Sequence, residues 1–154
     1  MTRLGDRLRT EHRALDAHFR DIADHVRAGD PIALDAAWTQ LEGALVAHMA
    51  FEERHLLPLF ERHDADEAAQ LRGEHAQIRR RLDELGVAIE LHTLREATAE
   101  EFLATLRAHA AREDALFYAW ADRLPPQNTP AAPSFGTTGH TETPDRGETF
   151  RAMA

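Results

Sequence analysis

The sequence predicts an all-α, up-down-up-down four-helix bundle with a disordered C-terminal tail. Along four successive stretches, apolar residues recur in alternating steps of three and four, the period of a helix that faces a bundle core. The second half of the chain repeats the first, since each half has a histidine, a long gap and then His-x-x-x-Glu. Pro, Gly and Thr replace this periodicity near the C-terminus, so residues 1–124 are predicted to form the bundle and 125–154 the tail.

The first helix is predicted over residues 4–28, and its apolar stripe contains His12 at a core position. Gly29 suits the C-cap of this helix, because a helix often ends on a left-handed residue. Asp30 suits the N-cap of the next helix and Pro31 its first position. A short connection between two antiparallel helices is therefore expected here.

The second helix is predicted from residue 31 to about 62, with His48 and Glu52 in its core phase. Pro58 removes a backbone donor and clashes with the preceding turn, which predicts a kink or an early end near it. His55 lies three residues beyond Glu52 on nearly the same helical face. The sequence leaves open whether His55 also contacts a metal.

The third helix is predicted to begin near Asp64 or Asp66, both suitable N-caps, and carries His75 in its core stripe. Two capping boxes compete for the start of the fourth helix, one beginning at Thr93 and the other at Thr98. The predicted core stripe of the fourth helix comprises Phe102, Leu106, His109, Glu113, Leu116 and Trp120.

The polar residues in core phase converge on one level of the bundle. Short connections make neighbouring helices antiparallel, so heights can be counted from each turn at about 1.5 Å per residue. The residues that fall in this layer are His12, His48, Glu52, His75, His109 and Glu113. A buried, unpaired carboxylate costs several kcal/mol, and a bound cation offsets that cost. The layer is therefore predicted to be a metal site.

Any metal must be held by nitrogen and oxygen, because the chain contains no cysteine; such ligands suit iron, manganese or zinc. Six side chains are too many for one tetrahedral zinc and suit two metals. If Glu52, Glu113 and an oxo or hydroxo group all bridge, one octahedral position on each metal stays open. The prediction is a bridged pair of iron ions with room for a small ligand.

Composition excludes several other functions. The net charge of -9 argues against binding to nucleic acid or to an anionic membrane. The N-terminus has no apolar signal segment and no apolar run is long enough to span a bilayer, so a cytoplasmic protein is predicted. The absence of cysteine excludes disulfides and iron–sulfur clusters.

Over about residues 5 to 124 the sequence resembles the hemerythrin family, specifically the bacterial hemerythrin-like HHE cation-binding domains. The resemblance implies an up-down-up-down bundle and a non-haem di-iron site whose ligands are the six residues of the layer. The motifs that carry it are Thr10-Glu11-His12, His48-x-x-x-Glu52-Glu53, Glu74-His75 and His109-x-x-x-Glu113-Asp114.

Two departures separate this chain from the oxygen-carrying members of the family. Those have a further histidine four residues after the first on helix three, where this chain has Arg79. Their last carboxylate is an aspartate five residues after the histidine; Asp114 has that spacing here, but Glu113 has a spacing of four. The missing histidine argues against reversible O2 carriage. The ligand set is more similar to di-iron proteins of nitric-oxide and oxidative-stress defence and iron-centre repair, whose cysteine-bearing N-terminal domain this sequence lacks.

The predicted function is therefore binding of O2, NO or a related small oxidant such as peroxide at a di-iron centre, for sensing, scavenging or stress response. The alternatives are iron handling or iron-centre repair, and a peroxidase or NO-reducing enzyme. A metal-free helical interaction protein also remains open. A ferritin-type oxidase is disfavoured, because those enzymes use Glu-x-x-His pairs. The sequence does not choose between a binding protein and an enzyme, and it indicates no particular protein partner.

Overall fold

The computed structural model describes residues 3–125 and residue 130, and these contain helices and no strand. Two π-helical turns join α2 to α3 and α5 to α6, so the helices form four long rods. The α-helices are α1 (Leu4–Ala28), α2 (Pro31–Phe51), α3 (Leu57–Phe60), α4 (Ala65–Glu90), α5 (Glu96–Arg112) and α6 (Tyr118–Ala121), and the π turns are Glu52–Leu56 and Glu113–Phe117. The predicted all-α four-helix bundle is confirmed.

The rods close into a ring around one core. Helix α1 packs on α2, α2 on α4, α4 on α5, and α5 back on α1. The buried apolar residues form two clusters, one on each side of the predicted polar layer. The first cluster includes Leu15, Phe19, Trp38, Leu45, Ile78, Leu82 and Phe102, and the second includes Leu8, Leu57, Phe60, Leu71, Phe117 and Tyr118.

Local sequence signals explain most helix ends. Gly29 adopts φ 66° and ψ 34°, the left-handed conformation that glycine accepts without a steric penalty. The Asp30 side chain accepts a hydrogen bond from the Ala33 backbone N–H and caps α2. Asp64 caps α4 in the same way through the Glu67 N–H, so Asp64, and not Asp66, begins the third rod.

The start of the fourth rod differs from the prediction. Neither predicted capping box is used, because α5 begins at Glu96 with Arg95 at the N-cap and no side-chain cap. The Thr93 hydroxyl instead donates to the Ala88 carbonyl at 3.3 Å and closes the end of α4. Thr98 lies within α5. The threonine nearest the turn is therefore engaged by the helix that precedes it.

Each π turn begins at the glutamate of a His-x-x-x-Glu motif. The Leu57 N–H bonds to the Glu52 carbonyl and the Tyr118 N–H to the Glu113 carbonyl, the i to i−5 pattern of a π-helix. The irregularity predicted near Pro58 is thus a π turn that begins at Glu52, and the second rod ends at residue 60, close to the predicted end at about 62.

The π turns shift the buried face by one residue. Leu116, predicted to be buried, is 47% exposed, whereas Phe117 and Tyr118 are fully buried. In the first half His55 is exposed, and Leu56 and Leu57 are buried instead. A π turn contains one residue more than an α-helical turn. Counting α-helical positions through it therefore assigns the later residues to the wrong face of the helix.

Among the described residues, no helix is both long enough and apolar enough to cross a membrane. The predicted tail, residues 125–154, lies outside the described part of the chain apart from positions 125 and 130.

Candidate metal centre

The layer predicted from sequence is present in the core. His48, Glu52, His75, His109 and Glu113 are each less than a tenth exposed, and the His12 side chain is 10% exposed. Their positions follow from the fold, because every rod contributes one histidine and each π turn contributes one glutamate. The six residues therefore meet in one layer between the two apolar clusters.

The side chains separate into two sets that share a carboxylate. Ligand atoms of the first set, His12, His48, Glu52 and Glu113, all lie within 4.8 Å of one another. Those of the second set, His75, His109 and Glu113, do so as well. Each set contains two imidazoles from neighbouring rods. This arrangement provides two adjacent positions for a metal.

Glu113 faces both sets. Its Oε2 lies 3.1 Å from His12 Nε2, and its Oε1 lies 3.2 Å from both His75 Nε2 and His109 Nε2. Glu52 has a similar arrangement. Its Oε1 lies 3.4 Å from His48 Nε2 and its Oε2 lies 3.5 Å from His75 Nε2. Both carboxylates thus direct one oxygen to each set, the arrangement that a bridging ligand requires.

Two buried atoms of the layer lack a hydrogen-bond partner among the described residues, Glu52 Oε2 and His109 Nε2. Leaving a buried polar atom unsatisfied costs about 1–3 kcal/mol. Both atoms face the second set, since Glu52 Oε2 lies beside His75 and His109 belongs to that set. A cation at this position would satisfy both, so the residues present fit a metal.

A carboxylate holds each of the four imidazoles from behind. In every pair the histidine Nδ1 contacts a carboxylate on a neighbouring rod, which orients the ring and leaves Nε2 directed at the layer. The pairs are His12 with Asp114 at 3.3 Å, His48 with Glu11 at 2.8 Å, His75 with Glu53 at 2.9 Å and His109 with Glu74 at 2.7 Å. Together they form a closed ring around the bundle.

Sequence reasoning missed the role of these carboxylates, although each stands beside a ligand in the chain. Glu11 precedes His12 and Glu74 precedes His75, whereas Glu53 follows Glu52 and Asp114 follows Glu113. Adjacent residues on a helix point in different directions, so each of these carboxylates reaches a histidine on another rod. A carboxylate directly beside each of these four layer residues could have indicated this role from the sequence. Which histidine each carboxylate contacts, however, depends on how the rods pack.

Tyr118 is a further member of the site that the sequence did not reveal. Its Oη lies 3.0 Å from His12 Nε2 and 3.1 Å from His48 Nε2. It donates a short hydrogen bond to Glu52 Oε1 and lies 3.3 Å from Glu113 Oε2. The α-helical period places residue 118 away from Glu113, and the π turn between them returns it to the site.

Comparison with known families agrees with this geometry. A family model described as the hemerythrin HHE cation-binding domain matches residues 3–121. The chain belongs to the hemerythrin family. Searches of curated proteins and of solved structures gave no match. The matched range contains all six residues of the layer, including the two groups of side chains that could hold a metal ion.

In this hemerythrin domain Arg79 supports His75 from outside the layer. Its guanidinium forms two hydrogen bonds to Glu53, at 2.7 and 2.8 Å, and Glu53 in turn holds His75. Burial alone would raise the pKa of Glu53, but the bonds from Arg79 and His75 lower it below the ordinary value. Arg79, at the position where oxygen carriers have a further histidine, thus stabilises the Glu53 carboxylate that contacts His75.

Protons compensate the buried charges of the hemerythrin layer. Burial lowers the pKa of His12, but hydrogen bonds to Asp114 and Glu113 outweigh it and raise that pKa to about 9. The pKa of His109 also reaches about 9, because the contact with Glu113 outweighs burial. Burial and the nearby Glu113 charge raise the pKa of Glu52 to about 7. A metal entering this site must displace protons.

Burial would raise the pKa of Glu113, but close contacts with the imidazoles of His109, at 3.2 Å, and His12, at 3.1 Å, hold it well below its ordinary value. Glu113 therefore favours its ionised form, and Glu52 is the carboxylate of the layer that more readily takes up a proton. This difference between two equally buried carboxylates follows from the number of imidazoles that each one contacts.

A small cavity of about 60 Å³ reaches the layer from the side of the first apolar cluster. His12, His48 and His109 form part of its wall, and almost all of its surface is apolar. At its outer edge Arg107 Nε donates to Asp16 Oδ1 at 2.6 Å. The other lining residues are Leu15, Leu45, Met49, Leu103, Leu106 and Ala110.

Proposed function

We propose that this hemerythrin domain is a non-haem di-iron protein that binds O2, NO or a related small oxidant in the core of its bundle. The observation that carries the proposal is the position of Glu52 and Glu113, each of which directs one oxygen to each imidazole set. Two carboxylates that straddle two sets support a pair of metals. A single metal would leave one imidazole set without a partner.

The donor set supports iron. Four imidazole nitrogens and two carboxylates, with no thiolate, suit a metal that changes oxidation state at a nitrogen and oxygen site. When bound, an iron pair would supply electrons to a small oxidant. The residues of this chain would hold the pair, orient the imidazoles through the carboxylate ring, and exclude bulk water through the two apolar clusters.

The cavity supports a small, uncharged ligand. One water needs roughly 10–15 Å³ of such space, so a cavity of about 60 Å³ holds a diatomic molecule and excludes a bulky substrate. Its apolar wall disfavours ions and accommodates gases. His12, His48 and His109 in that wall would place the ligand directly beside the metals.

The burial of the two glutamates favours a permanently bound metal centre over iron that is stored or delivered. Glu52 and Glu113 are both 0% exposed, and each is held by several contacts within the layer. Iron that is stored or delivered must leave its site, and a fully buried ligand set would slow that exit. A closed layer between two apolar clusters favours metals that stay bound while small molecules enter and leave.

The test is metal analysis followed by spectroscopy. Protein reconstituted with iron under anaerobic conditions is expected to bind about two irons per chain. Its optical spectrum is expected to change when the reduced protein is mixed with O2 or NO. One metal or none per chain would overturn the dinuclear site. Two irons with no response to either gas would overturn the ligand class and leave the metal centre intact.

A further inference from the structure

We propose that the phenolic oxygen of Tyr118 is a ligand of the metal held by His12 and His48, so that the two metals of the centre are unequal. This inference depends on the proposed di-iron function and adds a seventh protein ligand to it. The second metal, held by His75 and His109, has no counterpart of Tyr118. The exchangeable position for a small oxidant would then belong to the second metal.

The distances around the phenolic oxygen of Tyr118 match those between ligands of one metal ion. Two ligand atoms that bind one metal at about 2.1 Å and at right angles are separated by about 3.0 Å. Tyr118 Oη lies 3.0 Å from His12 Nε2, 3.1 Å from His48 Nε2 and 3.3 Å from Glu113 Oε2. These are the separations expected between neighbouring ligands of one metal ion. The oxygen therefore occupies a vertex of the first set.

When His12 and His48 donate through Nδ1 and present a bare Nε2, as metal ligands must, hydrogen bonding alone does not satisfy this cluster. The phenol has one proton, which it donates to Glu52 Oε1, and it has none left for Glu113 Oε2. The Nε2 atoms of His12 and His48 lie 3.1 Å apart and both face the same oxygen. A cation among these atoms would give each nitrogen and oxygen a partner.

The phenol is also fixed in place. Tyr118 is fully buried within the second apolar cluster, and its ring stacks on the His12 ring with centroids 5.1 Å apart. No rotation to solvent is open to a side chain packed in this way. The oxygen is thus held against the layer before any metal arrives.

The internal repeat shows that filling space does not require a tyrosine. Leu57 occupies the equivalent place in the first half, since it directly follows the first π turn as Tyr118 follows the second. Both side chains are fully buried in the same cluster. Leucine packs there without a polar atom, so the oxygen of Tyr118 is the feature that distinguishes the two halves.

The coordination step needs no oxidant or reductant. A bond forms between Oη and the metal, the O–H bond breaks, and the proton leaves to solvent with the others that the metal displaces. The first metal would then have two imidazoles, oxygens of two carboxylates and a phenolate. The second would have one protein ligand fewer.

The test uses the fact that the chain contains a single tyrosine. Ferric protein with about two irons per chain is expected to show a visible tyrosinate-to-iron charge-transfer band. Resonance Raman excitation in that band should enhance phenolate ring modes, and these should shift when the protein is prepared with ring-deuterated tyrosine. This measurement needs no variant, so it does not depend on the folding of a mutant.

A variant pair provides the second measurement. Tyr118→Phe is expected to lose the band and the ring modes entirely and to keep its iron, since the imidazoles and carboxylates remain. Trp120→Phe alters a neighbouring aromatic residue of the same cluster and should keep both signals. Two irons without phenolate modes in the unmodified protein would overturn this inference alone. Fewer than two irons would overturn the di-iron function as well.

Discussion

Each imidazole of the layer acts together with a carboxylate on a neighbouring rod. The carboxylate contacts Nδ1, so Nε2 faces the layer, and this contact would strengthen the imidazole as a metal ligand. Glu52 and Glu113 have a different role, because they lie inside the layer and contact imidazoles of both sets. These two kinds of carboxylate should respond differently to substitution.

Replacement of Glu52 or Glu113, the two carboxylates inside the layer, should lower the iron content more than replacement of a nearby histidine outside it. Glu52→Ala and Glu113→Ala are each expected to lose at least one iron per chain, because each carboxylate faces both metal positions. His55→Ala is the matched control, since His55 is exposed and packs against Phe51, outside both sets. Metal analysis with circular dichroism as a folding check measures this. Equal loss in all three variants would show that His55 is a ligand.

Removal of a supporting charge should weaken the metal without abolishing it. Glu74→Gln takes away the carboxylate that lies 2.7 Å from His109 Nδ1, and the expected loss in metal affinity is about 10–100-fold. Glu84→Gln, an exposed change on the same helix, should have no effect. Competition with a chelator measures both affinities. An unchanged affinity in Glu74→Gln would mean that His109 needs no support.

At the scale of the element, the two π turns determine which residues reach the core. Each begins at an inner glutamate, and the residue directly after it, Leu57 or Tyr118, is fully buried. A helix turns by about 100° per residue, so one inserted residue moves everything beyond it to another face. The short helices α3 and α6 therefore depend on the π turns for their packing.

Deletion of Ala115, an exposed residue of the second π turn, should restore an α-helical turn and rotate the following residues by about 100°. Phe117 and Tyr118 would leave the core, and exposure of such a ring costs about 3 kcal/mol. The variant should melt markedly earlier. Ala115→Ser changes the same position at constant length and should melt normally. Thermal denaturation decides, and an unchanged midpoint in the deletion would count against a structural role for the π turn.

The helical part of the chain should be sufficient without its C-terminal segment. Truncation after Leu124 keeps Asp122, which accepts hydrogen bonds from Gly5 N and from Arg9, both at 2.9 Å. It also keeps every residue of the layer, so fold and iron content are expected to be retained. Metal analysis and thermal melting of the truncated protein test this. A clearly lower midpoint would show that the removed segment packs on the bundle.

At the scale of the whole molecule, the bundle is a closed ring of rods around a layer of buried charge. The apolar clusters on either side supply stability, and the layer itself is compensated by protons or by metals. The same groups cannot bind both at once. Metal-free and metal-loaded protein should therefore respond to pH in opposite directions.

Metal-free protein should lose stability as the pH rises. The folded pKa values of His12 and His109 are about 9, above the unfolded value near 6.5. Their contribution is complete below about pH 6.5 and is lost as the pH rises through 9. Glu52 acts in the same direction, because its folded pKa is raised to about 7. The stability that its protonated form contributes is lost as the pH rises from about 4.5 to 7. The expected decrease over this range is a few kcal/mol.

Urea denaturation of chelator-treated protein at several pH values measures this decrease. Iron-loaded protein is the control, and its metal affinity should rise with pH because fewer protons compete for the imidazoles. A flat profile in the metal-free protein would mean that the layer holds no extra protons. A falling metal affinity with rising pH would contradict the assignment of the imidazoles as ligands.

The sequence alone determined the helical rods, most of their ends and the six residues of the layer. Gly29, Asp30 and Asp64 act at the positions where local rules place them. The layer was predictable because a 3.6-residue period identifies a core face and antiparallel rods allow heights to be counted. Both arguments use only neighbours in the chain, so they hold wherever the period is regular.

The tertiary structure decided what depends on contacts between rods. Each π turn begins at a buried glutamate and changes the face of the residues that follow it in its rod, which is why Leu116 was misplaced and Tyr118 missed. The partners of Glu53 and Asp114 lie on other rods, and no local pattern specifies which histidine each one reaches. Helical periodicity describes one helix at a time, whereas a metal centre is defined by atoms that several helices bring together.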